Sequence, residues 1–192
     1  MYSLYIDTHA TNIELCLYKD GKIMKTSIKE SVQQHSVHVL PMIRALLGEF
    51  KLKPRDLGLL LVNNGPGSFT GVRIGVTIAK TMAYTLHIPI KTVDSLLVKA
   101  ISIDKKEKLV SLVDKHGAYV GHFDEANQAV EKYRYISTKE YEEATNQHTY
   151  VDDVEIDYEK VYDYATTIKE TPAHAVNPLY VKNVEVSNGK GN

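Results

Sequence analysis

The sequence predicts an α/β protein of two lobes, each a mixed sheet flanked by helices, with the second lobe reduced. Three observations predict it. An apolar run at residues 57–62 leads into the Gly/Pro cluster N-N-G-P-G-S-F-T-G-V-R-I-G at 63–75 and then a long apolar-periodic segment, which reads as strand, tight turn, helix. The chain opens on strand patterns joined by Asp20-Gly21, a strong hairpin turn. A strand followed by an Asp and a second strand occurs twice, at Asp7 and at Asp114, an internal duplication.

A chain of 192 residues suits one large or two small domains and can bury a real core. With 43% hydrophobic and 24% charged residues, neither disorder nor a coiled coil is expected. No apolar run approaches a membrane span, and the N-terminus lacks a basic region followed by a long apolar stretch. The single Cys16 sits in a strand pattern and reads as a buried thiol, so the cytoplasm is the expected compartment. The net charge of −1 conceals an asymmetry: residues 1–98 carry 11 basic and 7 acidic side chains, residues 99–192 carry 12 and 17. Neither half has the basic patch of a protein that grips phosphates alone, so any RNA contact is expected to come mostly from other subunits.

Residues 2–6 read as a strand ending at Asp7. Residues 11–18 form a second, with Ile13, Leu15 and Leu17 on one face, and 22–28 a third. Residues 31–50 read as a helix with Ser31 as N-cap and Gln34 three residues on. Val39, Ile43, Leu46, Leu47 and Phe50 make its apolar stripe, and Pro41 is expected to kink it. His35 and His38 share a face but have neither the spacing nor the Glu of a zinc-protease helix, and read as polar surface.

In the glycine-rich stretch, Gly65 and Gly67 can take backbone angles closed to other residues and Pro66 fixes φ between them. Ser68 or Thr70 can cap the following helix, whose N-terminus is a natural anion site. The stretch lacks the Lys and the glycine spacing of a Walker A loop, and its G-x-G-x-x-x-G is one residue too long for the dinucleotide fingerprint. Along the helix, Gly71, Gly75, Ala79 and Ala83 recur every four residues and form a ridge of small side chains beside Val72, Val76, Ile78, Met82 and Leu86. Such a ridge suits close packing inside the chain or against a helix of another subunit.

Residues 89–93 read as a strand, with Asp94 or Ser95 capping a short helix at 96–101. The charged linker 104–108 marks the expected boundary between an N-terminal lobe, 1–103, and a smaller C-terminal lobe, 104–192. Residues 109–113 and 118–123 read as a hairpin and 131–136 as a further strand. Ser137 with Glu140 is a capping box for a helix at 139–145. The tyrosine- and acid-rich stretch 149–170 reads as a solvated face or a partner surface, 172–178 as a turn region, and 187–192 as a frayed end.

The eleven residues G-P-G-S-F-T-G-V-R-I-G closely resemble the signature of the TsaB (YeaZ) family, which works in making threonylcarbamoyl-adenosine next to the tRNA anticodon. Weaker similarity runs from Asp7 to about Asp114 and returns at Pro178-Leu179-Tyr180-Val181-Lys182-Asn183. The resemblance implies the actin/hexokinase/Hsp70-like fold, in which the first hairpin loop embraces phosphate and its Asp orients metal or water. That loop is D-x-G-T-like in the superfamily. Here it is Asp7-Thr8-His9-Ala10-Thr11, and without a Gly its N–H groups approach a phosphate less easily, so ATP affinity is expected to be weak. The residues of a vestigial nucleotide or anion site would be Asp7, Thr8, Gly65, Gly67, Ser68, Thr70 and Asp114. TsaB relatives show D-A-R at the second Asp, followed shortly by E-V-Y, whereas Asp114-Lys115-His116-Gly117-Ala118-Tyr119 is shortened and lacks the Glu.

The resemblance further implies a non-catalytic subunit that pairs with a paralogous catalytic subunit, TsaD, bearing the metal-binding histidines. A P-loop ATPase, TsaE, joins the assembly. No catalytic or metal-ligating residue and no tightly bound cofactor are expected here. ATP would be used by the assembled complex, tRNA met only through it, and a homodimer formed by the chain alone. The family pairs through its N-terminal helices, which assigns His35, Val39, Ile43, Gly71, Arg73, Gly75, Ala79 and Ala83 to the interface. Two other readings compete. One is a small kinase or ATPase using Asp7 and Asp114 as metal-orienting carboxylates. The other is a metallopeptidase, against which stands the lack of an H-E-x-x-H or a nucleophile elbow.

Overall fold

The computed structural model describes residues 1–31 and 34–182. Strands β1 (Tyr2–Asp7), β2 (Asn12–Lys19) and β3 (Lys22–Glu30) pair antiparallel in sequence order. Asp20 and Gly21 both take positive φ in the β2–β3 turn, as such a hairpin requires. Helix α1 (His35–Glu49) returns the chain so that β4 (Leu57–Asn63) runs parallel to β1. Helix α2 (Phe69–Leu86) does the same for β5 (Ile90–Val93) beside β4, giving the order β3-β2-β1-β4-β5.

The strand alternation sorts side chains to two buried faces. Leu4, Ile6, Ile13, Leu15, Leu17 and Val62 pack with Val39, Ile43, Leu46 and Leu47 of α1 and Val72, Val76, Ala79 and Ala83 of α2. Tyr5, Cys16, Tyr18, Leu59 and Leu61 turn to the opposite face, covered in part by α3 (Ser95–Ile101). Ser68 caps α2 by accepting from Gly71 N (3.2 Å), and Asp94 caps α3 by accepting from Leu97 N (2.8 Å). Helix α1 starts at His35, four residues after the expected Ser31 cap. The Ser31 N–H instead donates to Thr11 O (3.1 Å), which binds Ser31 to the first hairpin and takes it out of reach of the helix.

The second sheet has the order β6 (Lys108–Asp114), β7 (Gly117–Phe123), β8 (Arg134–Ser137). Ser137 and Glu140 form the expected capping box on α4 (Thr138–Thr145), with Ser137 N donating to Glu140 Oε2 (2.8 Å). After α4, Val151 bridges in parallel to Val110 on the free side of β6, through Ser111 N to Val151 O (3.0 Å) and Val151 N to Leu109 O (2.8 Å). Hairpin, third strand, helix and a strand parallel to the first thus occur in both lobes, with the last strand of the second reduced to a single bridge.

The chain then returns to the first sheet. Helix α5 (Tyr158–Thr167), capped by Asp157, lays Tyr162 against Tyr18 (ring centroids 4.8 Å apart) and Tyr158 edge-on to Tyr5 (5.9 Å). The stretch 149–170 is therefore partly core and not simply a solvated face, because these rings supply the apolar cover that the back of the sheet needs. Residues beyond α5 stay on the first lobe: Thr171 N donates to Ile90 O (3.0 Å), Leu179 N to Asn64 O (2.7 Å), and Lys80 Nζ to Val176 O (2.9 Å). Lys99 on α3 ties the lobes, donating to Ser111 O (2.7 Å) and Asp152 Oδ1 (3.1 Å). The expected frayed end, 187–192, lies outside the described residues. Among the described residues no helix is long and apolar enough to cross a membrane.

Candidate functional site

Strands β1 and β4 are parallel neighbours in register, Ile6 opposite Val62, so the next residues, Asp7 and Asn63, emerge together at the C-terminal ends of two interior strands. Asp7 is buried, at 2% exposure. Its Oδ2 accepts from Tyr5 Oη (2.8 Å) and Asn63 Nδ2 (2.7 Å), and its Oδ1 from His9 N (2.9 Å) and His9 Nδ1 (2.6 Å). A carboxylate offers about four acceptor positions, and the chain itself fills all four. Asn63 Oδ1 in turn accepts from Gly65 N (2.9 Å) and lies 2.9 Å from Ser95 Oγ, which reaches Pro66 O (2.6 Å). Burial alone would raise the Asp7 pKa, but the His9 ring and its hydrogen bonds hold it below the ordinary carboxylate value. Burial likewise disfavours charge on His9, and Asp7 overrides it, lifting the imidazole pKa above the usual histidine value.

The glycine-rich stretch closes on this loop. Ser68 N donates to His9 O (2.7 Å) and Thr8 Oγ1 to Gly71 O (2.7 Å). A Cβ on Gly67 would strike His9 O, one on Gly71 would strike Thr8 O, and one on Gly75 would strike Thr8 Oγ1. The glycines are therefore the space in which the first hairpin loop sits. At the N-terminus of α2 the His9 carbonyl accepts from Ser68 N, so the chain's own backbone meets the first N–H of the turn.

The expected anion-site residues divide. Gly67, Ser68, Thr70 and Asp114 line one cleft between the lobes, with His9 and His35 beside them. Asp7, Thr8 and Gly65 are buried behind it. Asp114 is exposed and accepts from His116 N (2.7 Å) and Tyr135 Oη (2.8 Å). Partial burial opposes its ionisation, but those donors and Lys182 keep its pKa below the ordinary value. Among the described residues no group of three or more His, Cys, Asp or Glu is placed to hold a metal ion.

The expected interface residues need correction. His35, Val39, Ile43, Gly71, Gly75, Ala79 and Ala83 are all buried within the chain, and of the eight only Arg73 is exposed. The small-residue ridge faces inward because Thr8 and the sheet occupy the space it leaves, and His35 bonds Ala10 O (3.0 Å). Exposed on the outer sides of the same helices are Val37 (62%), Leu40 (53%) and Tyr84 (73%). Tyr5, His9, Asn63 and Ser95 were absent from the sequence-derived site. The available signal was Asn63, a polar residue ending an apolar strand just as Asp7 does.

A hairpin-led mixed sheet of order 3-2-1-4-5, a reduced repeat of it, and an Asp at the first strand end define a protein of the actin/hexokinase/Hsp70-like class. A family model described as TsaD: tRNA N6-adenosine threonylcarbamoyltransferase matches residues 25–173. The chain belongs to that family, on its TsaB (YeaZ) side. The tRNA threonylcarbamoyladenosine biosynthesis protein TsaB of Bacillus subtilis is 42% identical over 96 residues, covering 50% of this chain and 42% of that protein. The protein of the same name from Buchnera aphidicola (subsp. Schizaphis graminum) is 30% identical over 118 residues, 62% of this chain and 56% of that one. The chain thus spans about half the length of the curated relatives it matches. YeaZ from Pseudomonas aeruginosa has the same fold, with a TM-score of 0.78 at 18% identity, covering 93% of this chain and 100% of that one.

Proposed function

We propose that this protein is a non-catalytic partner subunit for threonylcarbamoylation of the adenosine next to the tRNA anticodon, pairing with a catalytic TsaD-type subunit. The observation that carries the reading is the saturation of Asp7. A phosphoryl-transfer enzyme of this fold needs that carboxylate free to orient metal or water, and here four donors of the chain's own hold it. Family membership and the names of the relatives supply the reaction. In this reading a TsaE-type ATPase supplies ATP turnover to the assembly, tRNA is held mostly by the catalytic subunit, and the setting is the cytoplasm. The outer faces of α1 and α2, with Val37, Leu40 and Tyr84, are the docking surface, and they also serve a homodimer when the chain is alone.

The test is reconstitution. The pure chain, given tRNA, threonine, bicarbonate, ATP and an adenylate-forming enzyme, is expected to make no threonylcarbamoyl-adenosine, and product is expected once TsaD- and TsaE-type subunits are added. Leu40→Glu is expected to keep the melting temperature and abolish co-elution with the TsaD-type subunit on size exclusion. Product from the chain without that subunit would overturn the proposal.

A further inference from the structure

At the mouth of a second cleft, next to the one that Asp114 lines, Phe69 and Tyr180 are half exposed, at 51% and 52%, with ring centroids 5.7 Å apart. The Arg73 guanidinium lies 3.8 Å from the centre of the Phe69 ring, and its Nε donates to Tyr180 Oη (2.8 Å). Further in, Lys182 Nζ sits 4.1 Å over the Tyr135 ring. The cleft behind has a volume of about 800 Å³, and Tyr119 and His116 contribute to its wall. No Asp or Glu lines it among the described residues, although the second half of the chain is acidic overall. Asp114, in the adjoining cleft that Lys182 also lines, accepts from Tyr135 Oη and His116 N and keeps its charge beside Lys182, which among the described residues leaves Arg73 as the site's cation without a carboxylate beside it in either cleft.

Exposed aromatic rings are costly to leave in water and are offered where something flat stacks on them. Fixed cations beside the rings add the complement to a phosphate. Rings for bases with a cation at each step are the recognition chemistry of single-stranded nucleic acid, and a cleft of this volume admits one or two nucleotides and not a duplex. We infer that Phe69, Arg73, Tyr180 and Lys182 form a stacking site for an unpaired RNA segment, giving this subunit a direct contact with RNA. The choice of a polymer over a free nucleotide rests on the function proposed above.

The sparse charge sets the character of the site. With two cations at hand, affinity is carried by stacking and falls only shallowly with salt, unlike a phosphate-gripping surface. The same contacts also hold residues 178–182 to α2, and the variants separate that role from RNA stacking. Tyr180→Phe keeps the ring and breaks the bond to Arg73. Phe69→Leu keeps apolar contact with Arg73 and removes a stacking face.

The experiment is a fluorescence-anisotropy titration of the free full-length chain with a labelled unstructured RNA of about ten nucleotides, at 50 mM and 200 mM salt, with AMP as competitor. Binding is expected, with a shallow salt dependence, roughly tenfold weakening in Phe69→Leu, the low end of the effect of one stacked base, and near-native affinity in Tyr180→Phe. If Phe69→Leu fails to fold, ultraviolet crosslinking of the native chain decides, with crosslinks expected in the peptides holding Phe69 and Tyr180. No RNA binding by the native chain, equal binding by Phe69→Leu, competition by AMP at concentrations equal to RNA, or crosslinks only elsewhere would each overturn the inference. The titration contains no partner subunit, so its failure leaves the pairing with a TsaD-type subunit standing, and failed pairing leaves the RNA result intact.

Discussion

Thr8 and Gly75 are fitted to each other: the Thr8 hydroxyl, bonded to Gly71 O at 2.7 Å, fills the place where any side chain on Gly75 would begin. Helix α2 can pass over the first hairpin loop only because it carries glycine at both positions facing Thr8. Gly71→Ala and Gly75→Leu are accordingly expected to destabilise the fold by about 1–3 kcal/mol or more, through overpacking against the Thr8 carbonyl at Gly71 and against the Thr8 side chain, held by its bond to Gly71 O, at Gly75. Urea denaturation measures it. An unchanged midpoint for Gly75→Leu would mean that the helix faces away from the loop, as a subunit-facing ridge would require.

The Asp7–His9 pair gives a two-sided pH dependence. The raised His9 pKa contributes stability that is complete below the ordinary value of 6.5 and is lost as pH rises through the folded value. The lowered Asp7 pKa contributes stability present above 3.8 and lost as pH falls through its folded value. Between these limits the pair is fully effective. In His9→Gln, which keeps a donor and removes the charge, the loss on the alkaline side is expected to flatten, as followed by melting temperature from pH 5 to 9. An alkaline limb as steep as in the native chain would assign it to another group.

Asp94 acts in the opposite sense to Asp7. Burial raises its pKa to about 6, against the partial relief of bonds from Leu97 N and Tyr133 Oη. The folded chain therefore binds this proton more tightly than the unfolded one, and stability declines as pH rises from 3.8 to about 6, by at most about 3 kcal/mol. Asp94→Asn, which retains a capping oxygen for α3, is expected to remove that decline and to match or exceed the native chain above pH 6. Parallel stability curves for the two proteins would contradict this.

At the α2 N-terminus Ser68 N is taken by His9 O and Gly71 N by Ser68 Oγ, and the first hairpin loop has no Gly to bring its own N–H groups to a triphosphate. Calorimetry with magnesium-ATP is expected to show no binding tighter than about millimolar, worth roughly 4 kcal/mol. A micromolar constant would restore the kinase reading.

The strands of the first lobe were legible because Leu4, Ile6, Ile13, Leu15 and Leu17 alternate, and the turn at Asp20-Gly21 has a single physical meaning. The glycine-rich stretch was legible as strand, turn and helix, and Ser68 as a cap. What its glycines approach was not: Thr8 lies 63 residues before Gly71, and no local pattern announces a contact at that range. The same blindness placed Val39, Ile43 and Ala79 at an interface, since a helix stripe looks alike whether it meets its own sheet or another chain. Helix α5 escaped notice because its buried side, Val161, Tyr162 and Ala165, is short and set among acids and exposed tyrosines. Asp7 and Asp114 were read as counterparts, and each ends the first strand of its sheet's hairpin, yet one is sealed at the end of an interior strand and the other stands in a cleft.

The return of α5 to the first sheet also orders events on the ribosome. Tyr5, Cys16 and Tyr18 are made within the first 18 residues, but Tyr158 and Tyr162, which cover them, follow some 140 residues later. At a synthesis rate of about 5–20 residues per second, the back of the sheet waits on the order of ten seconds for its cover. During that interval the Cys16 thiol and two tyrosines face solvent or a chaperone, and the N-terminal lobe completes itself only after the second lobe has been translated.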